Sequence, residues 1–103
     1  MEKKYILTKY VLYSGDDSLP NRLPIDWTMG ANNTTTAGAW TTLHTVTSGQ
    51  SAWTTIKQPV SYAISATMQD LGGFNVFRLN ITSGTGGGFT QLSDWEFWGY
   101  EEL

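Results

Sequence analysis

The chain has 103 residues, of which 15% are charged and 14% aromatic, with a net charge of −3 and no cysteine. That length fits one domain over 1–103, and the missing cysteines exclude disulfides, thiolate nucleophiles and cysteine-ligated zinc. Six basic residues, three of them (Lys3, Lys4 and Lys9) near the start, are too few to replace the counterions of a nucleic acid. No apolar run reaches the roughly 18 residues of a membrane span, and the opening MEKKYILTKYVLYSG lacks the apolar core of a signal peptide. The composition therefore predicts a soluble domain with no nucleic-acid partner and no membrane insertion.

No window repeats apolar residues at helical spacing. Fifteen Thr and eleven Gly favour strands and turns instead. Short β-rich runs bounded by Gly, Pro, Asn, Asp and Ser predict about seven strands, at 5–13, 26–30, 39–47, 52–57, 61–68, 74–82 and 94–100. Strands of this length and spacing imply an all-β antiparallel sandwich or barrel. In 74–82, Phe77, Leu79 and Ile81 alternate with Arg78, Asn80 and Thr82, which assigns one core face and one polar face. In 94–100, Trp95 and Phe97 fall on one face, with Asp94, Glu96 and Trp98 on the other. Trp40-Thr41-Thr42-Leu43 recurs as Trp53-Thr54-Thr55-Ile56. Four residues are too short for a repeat architecture, so a hairpin turning at Ser48-Gly49-Gln50 is expected.

The search for chemistry is mostly negative. His44 is the only histidine, so no zinc pair is available, and it is expected as a surface or edge residue. Asp16-Asp17 lacks the ligand spacing of a helix-loop-helix calcium site. No Gly-x-Ser-x-Gly elbow is present and no carboxylate pair is marked out. The stretch Gly84-Thr85-Gly86-Gly87-Gly88 precedes a strand rather than the helix a phosphate cradle needs. Glycosylation sequons at Asn32, Asn33 and Asn80 are chance matches in a Thr-rich chain. No enzyme activity, cofactor or metal is expected.

Binding remains. Flat rings offer large contact area at low entropy cost, and the Arg fork and amide groups supply directional hydrogen bonds. The loop 14–25 holds Asp16, Asp17, Asn21 and Arg22, and the Gly-rich loop 83–92 holds Phe89. Long irregular loops in a small domain are usually functional or disordered.

The order of motifs resembles the discoidin-like, coagulation-factor type C family of galactose-binding-like jelly rolls. The likeness runs through Tyr10-Val11-Leu12-Tyr13-Ser14-Gly15, then Arg22-Leu23-Pro24-Ile25-Asp26-Trp27, then Gly30-Ala31-Asn32-Asn33 with Ala39-Trp40-Thr41-Thr42-Leu43. It continues in Phe77-Arg78-Leu79-Asn80-Ile81 and closes on Gln91-Leu92-Ser93-Asp94-Trp95-Glu96-Phe97-Trp98-Gly99. It covers nearly the whole chain but only about the C-terminal two-thirds of the family domain, so the family's first strands are expected to be missing. Asn33 and Asp94 stand where the family usually has Asp and Glu.

The resemblance implies a non-catalytic, lectin-like domain. A terminal hexose would be held by loops 14–25 and 83–92 through Asp16, Asp17, Asn21, Arg22 and Phe89. It also implies that Trp27, Trp40, Arg78 and Phe97 are structural. The location implied is extracellular or on a virion surface. The alternative expectation is a structural domain of a virion or surface fibre that oligomerises through an exposed sheet edge.

Overall fold

The structure, a computed structural model, describes residues 3–15, 22–33, 40–85 and 90–103. Six strands form two antiparallel three-stranded sheets: β1 (Tyr5–Ser14), β2 (Pro24–Asn32), β3 (Thr41–Val46), β4 (Pro59–Ala63), β5 (Val76–Gly84) and β6 (Leu92–Glu101). One sheet runs β4-β1-β6 and the other β3-β2-β5. The protein is an all-β sandwich in which each central strand carries the buried residues of its layer. Leu7, Tyr10 and Leu12 of β1 meet Trp27, Met29 and Ala31 of β2, with Leu23, Leu43, Trp53 and Ile64 completing the core.

The centre of that core is aromatic and polar at once. Tyr10 and Trp27 are almost fully buried, at 0% and 1% exposure. The Trp27 indole N–H donates to the Tyr10 hydroxyl at 3.0 Å, and that hydroxyl lies 2.7 Å from His44 Nδ1. The Tyr10 oxygen accepts from Trp27, and with one proton and a second lone pair it completes the bridge to Nδ1 in either imidazole tautomer. The relay spans both sheets, since Tyr10 is on β1 while Trp27 and His44 are on β2 and β3. Tyr62 stacks on Tyr10 at 5.2 Å and meets Trp27 edge-on at 5.4 Å, and Trp53 lies 5.9 Å from Trp27. His44 sits on the edge strand β3, one of the two placements expected from sequence, and its half-buried ring turns inward to Tyr10.

Among the described residues six strands are found where about seven were expected. Segment 52–57 is not a strand, and the expected hairpin is absent. The turn 49–52 is 3₁₀, and β3 pairs only with β2. The Gln58 side-chain oxygen accepts the backbone N–H groups of Thr54 and Thr55 at 2.8 and 3.0 Å, donors a strand would have given to a ladder. Lys57, at φ 51°, takes a left-handed conformation incompatible with extension. The buried Ser14 closes this turn, donating to the Thr55 carbonyl at 2.7 Å and accepting from the Gln58 N–H at 2.9 Å.

Segment 61–68 divides into β4 and a single helical turn, α1 (Ala66–Gln69). Ser65 ends the extended run by accepting the Met68 N–H at 3.2 Å, an N-cap that sets helical geometry. In β5 the expected alternation holds, with Phe77, Leu79 and Ile81 half-buried and Arg78, Asn80 and Thr82 exposed. Trp40 lies beneath the Arg78 guanidinium, 4.2 Å from ring centroid to cation.

Two outcomes follow from the relay. Tyr10→Phe strands the Trp27 N–H and His44 Nδ1 in the core and lowers unfolding free energy by about 2–3 kcal/mol, read by urea denaturation. Burial pushes the His44 pKa below its ordinary 6.5. The unfolded chain therefore takes up a proton near pH 6.5 that the folded chain refuses until lower pH. Stability contributed by neutral His44 is full above 6.5 and declines as pH falls from there toward the folded value. Melting temperatures measured from pH 7.5 to 5 should fall in the parent, and fall less steeply in His44→Phe.

Candidate functional site

The residues expected to bind a ligand come from two connections that leave the same end of the sandwich. Arg22, at φ 65°, reverses the chain in a left-handed turn before β2. Its carbonyl accepts the Gln91 N–H at 2.8 Å. The next residue, Leu23, is joined twice to Thr85: its N–H donates to the Thr85 hydroxyl at 2.9 Å, and its carbonyl accepts the Thr85 N–H at 2.8 Å. Buried Leu23 and Pro24 anchor this point to the core. On the other side, the Gly15 carbonyl accepts from the Lys57 N–H at 3.1 Å, and Ser93 donates to the Ser14 carbonyl at 2.7 Å. The stems of both loops are thus fixed side by side.

Asp26 stiffens the same region from below. Its two carboxylate oxygens accept from the Ser48 N–H and the Ser83 hydroxyl, both at 2.9 Å, tying β2 to the turn after β3 and to the end of β5. Beside them an open cleft of about 370 Å³ is lined by Ile81, Thr82, Ser83, Gly84 and Thr90. Its walls carry three hydroxyl groups and almost no charge, a surface suited to neutral polar ligands. Of the residues nominated from sequence, Arg22 is exposed at this end. Asp16, Asp17, Asn21 and Phe89 lie outside the described residues.

A second surface was missed. The outer face of β6 exposes Trp98 and Tyr100 at 51% and 54%, and its inner face leaves Trp95 and Phe97 at 44% and 42%. Trp98 is flanked by Lys9, whose ammonium lies 4.8 Å from its ring centroid, and donates its indole N–H to Glu96 at 3.3 Å. Glu96 also accepts the Tyr13 hydroxyl at 3.1 Å, a bond that holds the phenol above its ordinary pKa. Phe97 lines a cleft of about 320 Å³ together with Phe77 of β5, and Trp95 lines a separate one of about 380 Å³ with Leu79 and Leu92. Trp95 is half-exposed, because β5 and β6 do not close over each other as β1 and β2 do. The signal was present in the sequence: Trp95-Glu96-Phe97-Trp98-Gly99-Tyr100 puts rings at both strand parities, so whichever face turns inward the other is aromatic.

Among the described residues no three His, Asp or Glu side chains gather to hold a metal ion, and no helix is long and apolar enough to cross a membrane. The Tyr10–His44 pair is the one contact that resembles acid–base machinery. Burial pushes Tyr10 up to about 12 and His44 down, so both stay neutral and serve as a bridge. Comparison with protein-family models, with curated proteins and with solved structures finds no match. The family resemblance rests on the sequence motifs alone.

The loop clamp has a measurable strength. Thr85→Ala leaves the Leu23 N–H without its partly buried acceptor and should cost about 1 kcal/mol in chemical denaturation. The Leu23 and Gln91 amides should exchange with solvent faster than in the parent, while core amides of β1 and β2 keep their protection.

Proposed function

We propose that this chain is a non-catalytic carbohydrate-binding domain that takes a terminal hexose at the end of the sandwich where 14–25 and 83–92 meet. The observation that supports the reading is the clamp joining Arg22 and Leu23 to Thr85 and Gln91, which fixes the stems of loops 14–25 and 83–92 beside a hydroxyl-lined cleft. Asp16, Asp17, Asn21 and Arg22 supply acceptors and donors for sugar hydroxyls, and Phe89 supplies a ring for a C–H face. The resemblance to discoidin-like domains favours the same end. A glycan at a cell surface or in a polysaccharide is the partner, and the place of action is extracellular or on a virion surface.

A second reading is an assembly role in a virion or surface fibre. The half-exposed rings of β6 favour it, since soluble domains usually keep such patches for partners.

A nuclear magnetic resonance titration with common hexoses at millimolar concentration tests the first reading. Amides of Arg22, Thr85, Thr90 and Gln91 should shift with at least one hexose, and Asn21→Ala and Phe89→Ala should abolish the shifts while leaving the core spectrum intact. A spectrum unmoved by every hexose would sink the reading.

A further inference from the structure

We propose that a second copy of this chain pairs with β6, strand against strand and antiparallel, about a two-fold axis through Phe97. This pairing deepens the assembly reading and is independent of the glycan reading.

β6 is ten residues long and ends its sheet, and among the described residues no strand takes its outer edge. Edge strands are ordinarily blunted by charged side chains, above all Lys, by Pro, by bulges or by shortness; β6 has no Lys or Pro and is among the longest strands present, and its charges are the acids Asp94, Glu96 and Glu101, which the register must keep apart. Its backbone is presented for pairing. The Trp98 carbonyl turns toward β1, where it accepts the Thr8 hydroxyl at 3.0 Å. By the alternation of an antiparallel ladder, Trp95, Phe97 and Gly99 then direct their N–H and C=O groups outward. The Trp95 N–H agrees, since it is held only by its own Asp94 carboxylate at 2.8 Å.

The side chains select the register. With the axis at Phe97, Glu96 lies opposite the partner's Trp98, Asp94 opposite the partner's Tyr100, and Trp95 opposite the partner's Gly99. Glu96 and Asp94 each face a ring, Glu101 faces Ser93, and Trp95 faces the residue without a side chain. Moving the axis to Glu96 sets that carboxylate against its own copy; moving it to Trp98 sets Asp94 against Glu102. Axes at Trp95 or Gly99 oppose Asp94 to Glu96 or Glu96 to Glu102, and like charges directly opposite are destabilising. An axis between residues would put the inner face of one copy on the outer face of the other.

The area is of the right order. Aromatic side chains bury about 150–250 Å² each, and four rings each leave roughly half of that open. Two copies together thus offer approximately 600–1,000 Å² of ring surface, before counting backbone, toward the roughly 1,200–2,000 Å² of a stable interface.

The absence of cysteine makes the test direct. Hydrogen-bonded residues directly opposite in an antiparallel pair have Cα atoms about 5.5 Å apart, inside the range of roughly 4.4–6.8 Å that a disulfide spans. Phe97→Cys should therefore oxidise to a covalent dimer under conditions that leave Ser93→Cys monomeric. Trp98→Glu, at an exposed position, should weaken dimerisation by roughly tenfold or more by opposing Glu96, and Glu96→Lys with Trp98→Glu should restore it. Failure of Phe97→Cys to link in preference to Ser93→Cys, or indifference to the charge exchange, overturns this pairing. Light scattering on the parent separates the two levels. A dimer that fails those tests leaves an assembly role through another surface, whereas a monomer at millimolar concentration removes both.

Discussion

The two sheets are held in register by one buried chain of hydrogen bonds, from the Trp27 indole through the Tyr10 hydroxyl to His44. Apolar packing between layers is non-directional and tolerates sliding. A polar group buried without a partner costs far more than a paired one, so this relay fixes where β1 lies over β2 and β3. The surrounding rings of Tyr62 and Trp53 then have defined places, and the turn 49–52 closes beneath Trp27. Gly49 is required there, because a Cβ would enter the indole ring.

Concentrating the core on the β1–β2 axis has a cost at the opposite flank. The bulk that Tyr10, Trp27, Tyr62 and Trp53 supply on the β3–β4 side has no equivalent between β5 and β6. Phe77, Leu79, Trp95 and Phe97 approach one another there but stay half-open. A bulge in β1 between Leu7 and Lys9 contributes, drawing the Ile6 carbonyl against Gly99, where a side chain would not fit. The layer therefore closes firmly at one edge and presents rings at the other.

The fold class was legible in the sequence because alternation reports half-buried strands directly, as in Phe77, Leu79 and Ile81. Strand 5–13 and the closing strand were placed within a residue or two for the same reason. Segment 52–57 was misread because its Trp-Thr-Thr-Ile pattern carries strong β-propensity, while the adjacent Gln58 side chain and the distant Ser14 divert its backbone. His44 lies on an edge strand as read, but its partner was not legible, because a lone histidine beside a threonine has no local feature that reveals a tyrosine hydroxyl 34 residues away. At the candidate end, Arg22 is exposed and the stems of loops 14–25 and 83–92 lie side by side. The hydrogen bonds that fix them are between backbone groups and a threonine hydroxyl, which leave no compositional trace.

The loop end and the β6 edge are not separate in the fold, because β6 begins at Leu92, immediately after the Gln91 amide that fastens the loops to Arg22. Gln91 stands six residues from Phe97, which at about 3.4 Å per residue is roughly 20 Å along the strand. In an antiparallel pair about Phe97 the two loop ends would therefore point in opposite directions, roughly 40 Å apart. Such a geometry does not concentrate two sites on one glycan, since avidity requires both to be reached together. It would join one surface to another, with the proposed sugar site at each end and a continuous six-stranded sheet between them.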